Sequence, residues 1–398
     1  MRSTSRALRV LAVGTTLALA LTACGGDDGG DDATEASTDA AATDEATDAA
    51  TTEAATEASE AMTEGGGDGM IAVLLPDSAS SSRWETDDRP GFEAAFADLG
   101  LSEDQYQILN AEGDATNQQN QAEQAITNGA NVLVMTNLDS GSGATIIDNA
   151  KAQGVSVIDY DRLTLDGDAD YYVSFDNEAV GRLQGETLVE CVDAQVEAET
   201  PAVAVLNGSP TDNNATLFKN GYDGVINPLF EDGTWTEVDD QSVPDWDNQE
   251  ALVIFEQMLT AADGNIDAVL AANDGLANAA VQALLSRDQA GIPITGQDAT
   301  VEGLQNIALG YQCMTVYKAI TQETQAAAEL AVALMNGEQP EAEATVDNGS
   351  KEVPSVLLEP TAVTVDNIMD TVVADGFRSV EEICTGDVAE TDFCQENA

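Results

Sequence analysis

Seven short apolar runs in this chain each end in a small cluster of polar and aromatic residues, and this pattern restricts the fold more than any other feature. The clusters are Arg83-Trp84, Asp161-Arg162, Asp212-Asn213-Asn214, Asp245-Trp246, Asn273-Asp274, Gln297-Asp298 and Tyr317-Lys318. The first run, Ile71-Ala72-Val73-Leu74-Leu75, is continuous rather than alternating, as in a strand buried on both faces. Further strands are expected at 132–135, 155–158, 171–175, 202–206, 266–270 and 292–295. Between them, helical spacing predicts helices from about Asp88 to Leu99 and over 144–153, 177–192, 249–262, 275–287, 300–309 and 320–335, several closed by glycine. Strand and helix alternate throughout, which predicts an α/β fold with parallel sheets and right-handed crossovers. The stretch from Met70 to Ala398 is too long for one small core and suits two lobes.

In open parallel sheets, ligands bind at the carboxyl ends of strands, and the clusters fall there. Asp161, Asp274 and Asp298 can each accept two hydrogen bonds from vicinal hydroxyls, while Arg83, Arg162 and Lys318 can donate. Asn213, Asn214 and Asn273 do both, and Asp212 completes the polar set. Trp84 and Trp246 can supply flat apolar walls. Paired donors and acceptors beside indoles suit a sugar, whose hydroxyls are polar and whose C–H faces are not.

The beginning of the chain reads as an address. Arg2, Arg6 and Arg9 precede an apolar stretch and then Leu21-Thr22-Ala23-Cys24, so residues 1–23 are expected to be a signal peptide and Cys24 a lipidated first residue. Residues 24–69 are acidic, with no basic or aromatic residue, and are expected to be a disordered tether. Of 73 acidic residues 14 precede Met70, and of 13 basic residues three do, leaving 59 acidic and 10 basic residues beyond it. That imbalance excludes nucleic acid as a partner and fits a high-salt medium. Three of those ten basic residues lie in the clusters. The chain has no histidine, which removes histidine bases, Ser-His-Asp triads and histidine metal ligands. Beyond Cys24, four cysteines remain. Cys384 with Cys394 is the preferred disulfide and Cys191 with Cys313 then follows; no Cys-x-x-Cys spacing supports zinc. No metal and no cofactor are expected.

Several segments carry a family resemblance: Ser82-Arg83-Trp84, Asp159-Tyr160-Asp161-Arg162, Ser174-Phe175-Asp176-Asn177, Gly208 to Ala215, Ala272-Asn273-Asp274, Gly296-Gln297-Asp298-Ala299, Met314 to Lys318 and Val353-Pro354-Ser355. In this order, from about 70 to 380, the chain resembles the type I periplasmic sugar-binding proteins, and among them the xylose-binding branch. The resemblance implies two Rossmann-like lobes joined by a three-strand hinge, with crossings near 175–176, 315–316 and 354–355. The first lobe would take 70–175 plus 317–353 and the second 176–316 plus 354–398. It also implies a monomeric, non-enzymatic binder of a monosaccharide, D-xylose or a similar aldose, held between the lobes. Its partners would be an ABC permease and its ATPase, with a lipid anchor holding it outside the cytoplasmic membrane; a sugar sensor read by a membrane receptor is the alternative. A carboxylate-pair glycosidase has no distinguishing signal among so many acids. A dinucleotide enzyme lacks the Gly-x-Gly-x-x-Gly fingerprint.

Overall fold

Strands buried on both faces need helices on both sides, and the first sheet is built that way. The computed structural model describes residues 69–397. The expected signal peptide, the Cys24 lipidation site and all but the last residue of the tether lie outside the described residues. Strands β1 (Met70–Leu75), β2 (Tyr106–Asn110), β3 (Ala130–Met135), β4 (Ser156–Tyr160) and β5 (Tyr171–Phe175) alternate with helices α1 (Arg89–Asp98), α2 (Ala115–Thr127) and α3 (Gly143–Ala152). Ile71 to Leu75 are wholly buried. One face of the sheet packs Val73, Phe92, Phe96, Val134 and Tyr160 together, and the other packs Leu74, Leu133, Ile147 and Val157.

The second half continues with α4 (Asn177–Gln195), β6 (Ala202–Asn207), α5 (Asn213–Glu231), β7 (Thr236–Ser242), α6 (Asn248–Ala261), β8 (Ala268–Ala271), α7 (Asp274–Leu285) and α8 (Val301–Leu309). β6 lies between β7 and β8 in a parallel sheet. The strand expected at 292–295 joins it only through the bridge Val269↔Ile294. Helices α4 and α5 cross at glycines. A Cβ on Gly181 would lie 1.9 Å from the Phe218 carbonyl oxygen, and one on Gly221 would lie 2.2 Å from that of Glu178, so only glycine allows this approach.

The chain then returns. β9 (Thr315–Tyr317) leads into α9 (Ile320–Met335), which packs back on the first sheet, and β10 (Ala344–Asp347) and β11 (Glu352–Leu358) extend that sheet. Its order is β10-β11-β5-β4-β3-β1-β2, parallel except for β10. β12 (Thr361–Val363) pairs antiparallel with β9, and α10 (Val380–Ile383) and α11 (Asp392–Asn397) close the chain. Three connections thus run between the first sheet and the rest of the fold: β5 to α4, β9 to α9, and β11 to β12, with β9 and β12 paired as a two-stranded sheet of their own. The third lies later than expected. Pro354 and Ser355 are inside β11, with Ser355 paired to Tyr172, because the apolar run continues through Leu358. The strand leaves the sheet at Glu359-Pro360, where proline has no N–H for the ladder. Cys191 is joined to Cys313 and Cys384 to Cys394. The architecture is two α/β lobes with a three-strand hinge.

β2, α2, α5 and β7 carry weak sequence patterns. β2 and β7 are half-exposed edge strands, and β7 (Thr-Glu-Val-Asp-Asp-Gln-Ser) has a single apolar residue. α2 is rich in Gln and Asn.

Candidate binding site

The loop after β1 turns on Asp77, whose carboxylate accepts from Ala79 N and the Ser80 hydroxyl, both at 2.7 Å. The chain then forms one wide turn over Trp84–Asp88, which places Arg83 and Trp84 beneath the first sheet's carboxyl edge. Arg83 is buried, and four hydrogen bonds to three carboxylates hold it. Nε and Nη2 contact Asp88 at 2.9 and 2.8 Å, Nη1 contacts Asp161 at 2.8 Å, and Nη2 contacts Glu323 at 3.1 Å. Its guanidinium also lies 4.3 Å from the Trp84 ring centre, with that of Arg162 at 5.4 Å.

Asp161 follows β4 in the left-handed region (φ 61°). Three donors to its carbonyl, Tyr172 Oη, Ser174 Oγ and Asn214 Nδ2, hold that conformation at 2.8–3.0 Å. Burial would raise the Asp161 pKa, but Lys318, Arg83 and Arg162 overcome it and hold the carboxyl down at about 2.

The second lobe supplies the other wall. Asp212 caps α5 through Asn214 N, accepts from Trp246 Nε1 at 3.0 Å and forms an ion pair with Arg162 Nε at 3.0 Å. Trp246 (φ 55°) packs edge-on against Phe218, in space kept open by Gly208, where a Cβ would meet the indole at 2.0 Å. Asn273 caps α7. Asp298 (φ 96°) projects from a loop fastened to β9 by Asp298 N–H to Val316 O. Lys318, directly after β9, lies 3.6 Å from Asp161 and 3.4 Å from Asp298, between carboxylates of the two lobes.

These side chains line a small pocket between the sheets. Ten of the twelve candidates line it: Arg83, Trp84, Asp161, Arg162, Asp212, Asn214, Trp246, Asn273, Asp298 and Lys318. Two do not. Asn213 meets the first lobe through its backbone N–H to Ser140 Oγ and is not part of the lining. Asp274 is wholly buried beneath Asn273, where its carboxyl accepts from Thr300 N and Oγ1, Gln312 Nε2 and Thr315 Oγ1 at 2.8–3.0 Å. It supports the Asp298 loop. Trp84 and Trp246 are at once cavity walls and members of the apolar cores.

Sequence reasoning missed Ser80, Ser81, Phe218 and Gln297 in the lining, and Glu323 behind Arg83. Gln297 had a signal, since it shares a strand-end cluster with Asp298. The cavity's cations, Arg83, Arg162 and Lys318, are matched by Asp161, Asp212 and Asp298. Its charges therefore balance, and Gln297 Oε1 is a buried acceptor without a hydrogen-bond partner among the described residues. Such a lining suits a neutral ligand that brings hydroxyl donors.

The profile of the periplasmic binding protein domain matches residues 71–339. The chain belongs to the periplasmic binding protein family. It is 41% identical over 308 residues to the D-xylose-binding periplasmic protein of Escherichia coli, spanning 77% of this chain and 90% of that one. The Haemophilus influenzae protein of the same name is 41% identical over 311 residues, spanning 78% and 91%. In structure the chain is similar to a carbohydrate transporter solute binding protein from Chloroflexus aurantiacus, solved with D-glucose. The TM-score is 0.72 at 31% identity, covering 78% of this chain and 97% of that one. These are solute-binding proteins of type I fold, not enzymes, and the two α/β lobes described here have that fold.

Two buried carboxyls away from the cavity wall set an expected pH response. Burial pushes Asp159 up to about 7, and burial with the neighbouring Asp298 charge pushes Asp274 up to about 7. A raised folded-state pKa contributes stability below the ordinary carboxyl range and loses it as pH rises through 7. The melting temperature of the sugar-free protein should therefore fall between pH 5 and 8. Asp274→Asn should flatten that slope in melts across the same range; a parallel slope would show that Asp274 does not titrate there.

Proposed function

We propose that the chain is the substrate-binding component of a carbohydrate ABC importer. It would capture a monosaccharide, D-xylose or a similar aldose, between the lobes and deliver it to a permease and its ATPase. The observation that carries this reading is the charge-balanced polar cavity whose walls come from both lobes, including the unpaired Gln297 Oε1. Identity to proteins named as D-xylose-binding supports the choice of ligand.

In this scheme Asp161, Asp298 and Gln297 accept from sugar hydroxyls, Arg83, Arg162 and Lys318 donate, and Asn214 and Asn273 do both. Trp84 and Trp246 cover the C–H faces. The lobes we propose are 70–175 plus 318–358 and 176–317 plus 359–397. A ligand touching both stabilises the closed form by its differential affinity. Signal peptide, lipidated Cys24 and acidic tether would hold a monomeric head outside the cytoplasmic membrane.

Calorimetric titration of the full chain carrying Cys24→Ser against a panel of aldoses tests the reading. Saturable 1:1 binding of D-xylose or another aldose is expected. Absence of heat for every aldose at millimolar sugar, in low and high salt, would overturn it.

A further inference from the structure

The family profile ends at residue 339, and within the part of the chain beyond it the segment 368–393 reaches across to the first lobe. The tail packs Ile368, Val372, Ile383, Val388 and Phe393 against Leu304 and Ile307 of α8 and Ala299 of the Asp298 loop. From that base Arg378 extends to Asp87. Nη1 lies 2.6 Å from Oδ1 and Nη2 lies 2.9 Å from Oδ2, a two-pronged pair with side chains only 12% and 9% exposed. Asp87 belongs to the same turn as Trp84 and Asp88, so the pair grips the segment that carries Arg83 to the cavity.

Arg378 is also held from behind. Its guanidinium lies 3.8 Å from the Phe377 ring centre, and Phe377 packs on Tyr317 with centres 5.1 Å apart. Tyr317 Oη donates to Asp375 at 2.7 Å. Tyr317 ends hinge strand β9 and immediately precedes Lys318. The tail therefore binds the hinge, the Asp298 loop and the Arg83 turn together, although neither Arg378 nor Asp87 lines the cavity.

We propose that the Arg378–Asp87 pair is a latch between the lobes that sets ligand affinity by stabilising closure. The proposal rests on the reading of the cavity as a closing ligand site. Closure brings a guanidinium and a carboxylate into a nearly dry, two-pronged contact, and opening separates them. The contact therefore favours the closed form and slows ligand release without touching ligand.

The test uses the full chain in four forms: wild type, Arg378→Ala, Asp87→Asn and the double variant. D-xylose dissociation is followed by tryptophan fluorescence, and the lobe separation without sugar by spin labels at exposed Asn120 and Glu256. Each single variant should raise the dissociation rate about tenfold and lengthen the sugar-free distance, with the double variant no worse than either. Unchanged rates and distances, or losses that add in the double variant, would overturn the latch. Should Arg378→Ala fail to fold, Asp87→Asn, which leaves the tail intact, decides alone. If wild type binds no aldose, the reading of the cavity falls, and the sugar-free distances still decide the latch.

Discussion

Asp298→Ala should weaken aldose binding by more than about 100-fold while lowering the sugar-free melting temperature by no more than about 3 °C. The affinity loss is the cost of leaving ligand hydroxyls without a charged acceptor in a closed cavity, about 3 kcal/mol or more. The small thermal effect follows from the surroundings. Asp298 makes one ion pair, with Lys318 at 3.4 Å, and Lys318 retains Asp161 at 3.6 Å. Removing the carboxylate also relieves its push on Asp274. What remains is the strain of alanine at φ 96°, on the order of 1 kcal/mol. Calorimetry and a thermal melt on one preparation check both halves. A drop of 10 °C or more without sugar would mark Asp298 as structural.

Arg83→Met should cost the sugar-free protein far more stability. Arg83 is the ion-pair partner of buried Asp88 and Glu323 and shares Asp161 with Lys318. Burial already raises the pKa of Asp88 and Glu323, and the charge of Asp161 raises Glu323 further. Without the guanidinium Asp88 and Glu323 lose their ion-pair partner and only Lys318, paired with Asp161, remains as a nearby cation, at a cost of about 3–5 kcal/mol. The melting temperature should fall by roughly 4–8 °C, and aldose binding should be lost. The deficit should shrink as pH is lowered from 7 to 5, because protonating the stranded carboxyls removes the repulsion. Melts at several pH values would show this, and a deficit independent of pH would place the damage in packing rather than charge.

Much of the fold was legible because its strands are continuous apolar runs. β1, β3, β5 and β6 are buried on both faces, and burial of that kind leaves a mark in local composition. Edge strand β7 was faint for the converse reason, since water covers much of it and its composition is that of a loop. The third crossing was misplaced because Val353–Leu358 gives no local sign of where pairing ends, apart from Pro360.

The site shows the same division more sharply. Strand-end clusters identified where ligand-facing groups can be, since a chain leaving a parallel strand emerges at the sheet's carboxyl edge. Which of two neighbouring residues faces the cavity was not legible. Asn273 caps α7 at the cavity wall, while Asp274, one residue later, points into a network with Thr300, Gln312 and Thr315. Both are polar and adjacent, and the first turn of the helix separates them.

The alternating α/β order and the strand-end positions of the polar groups follow from residues close in the chain, and the exclusion of histidine chemistry from composition. Tertiary structure alone decided that Glu323 stands behind Arg83, 240 positions away. It also decided that Lys318 lies between Asp161 and Asp298, and that Arg378 reaches Asp87. Charges in an acid-rich chain have many potential partners, and only the packing of two lobes around a hinge selects among them.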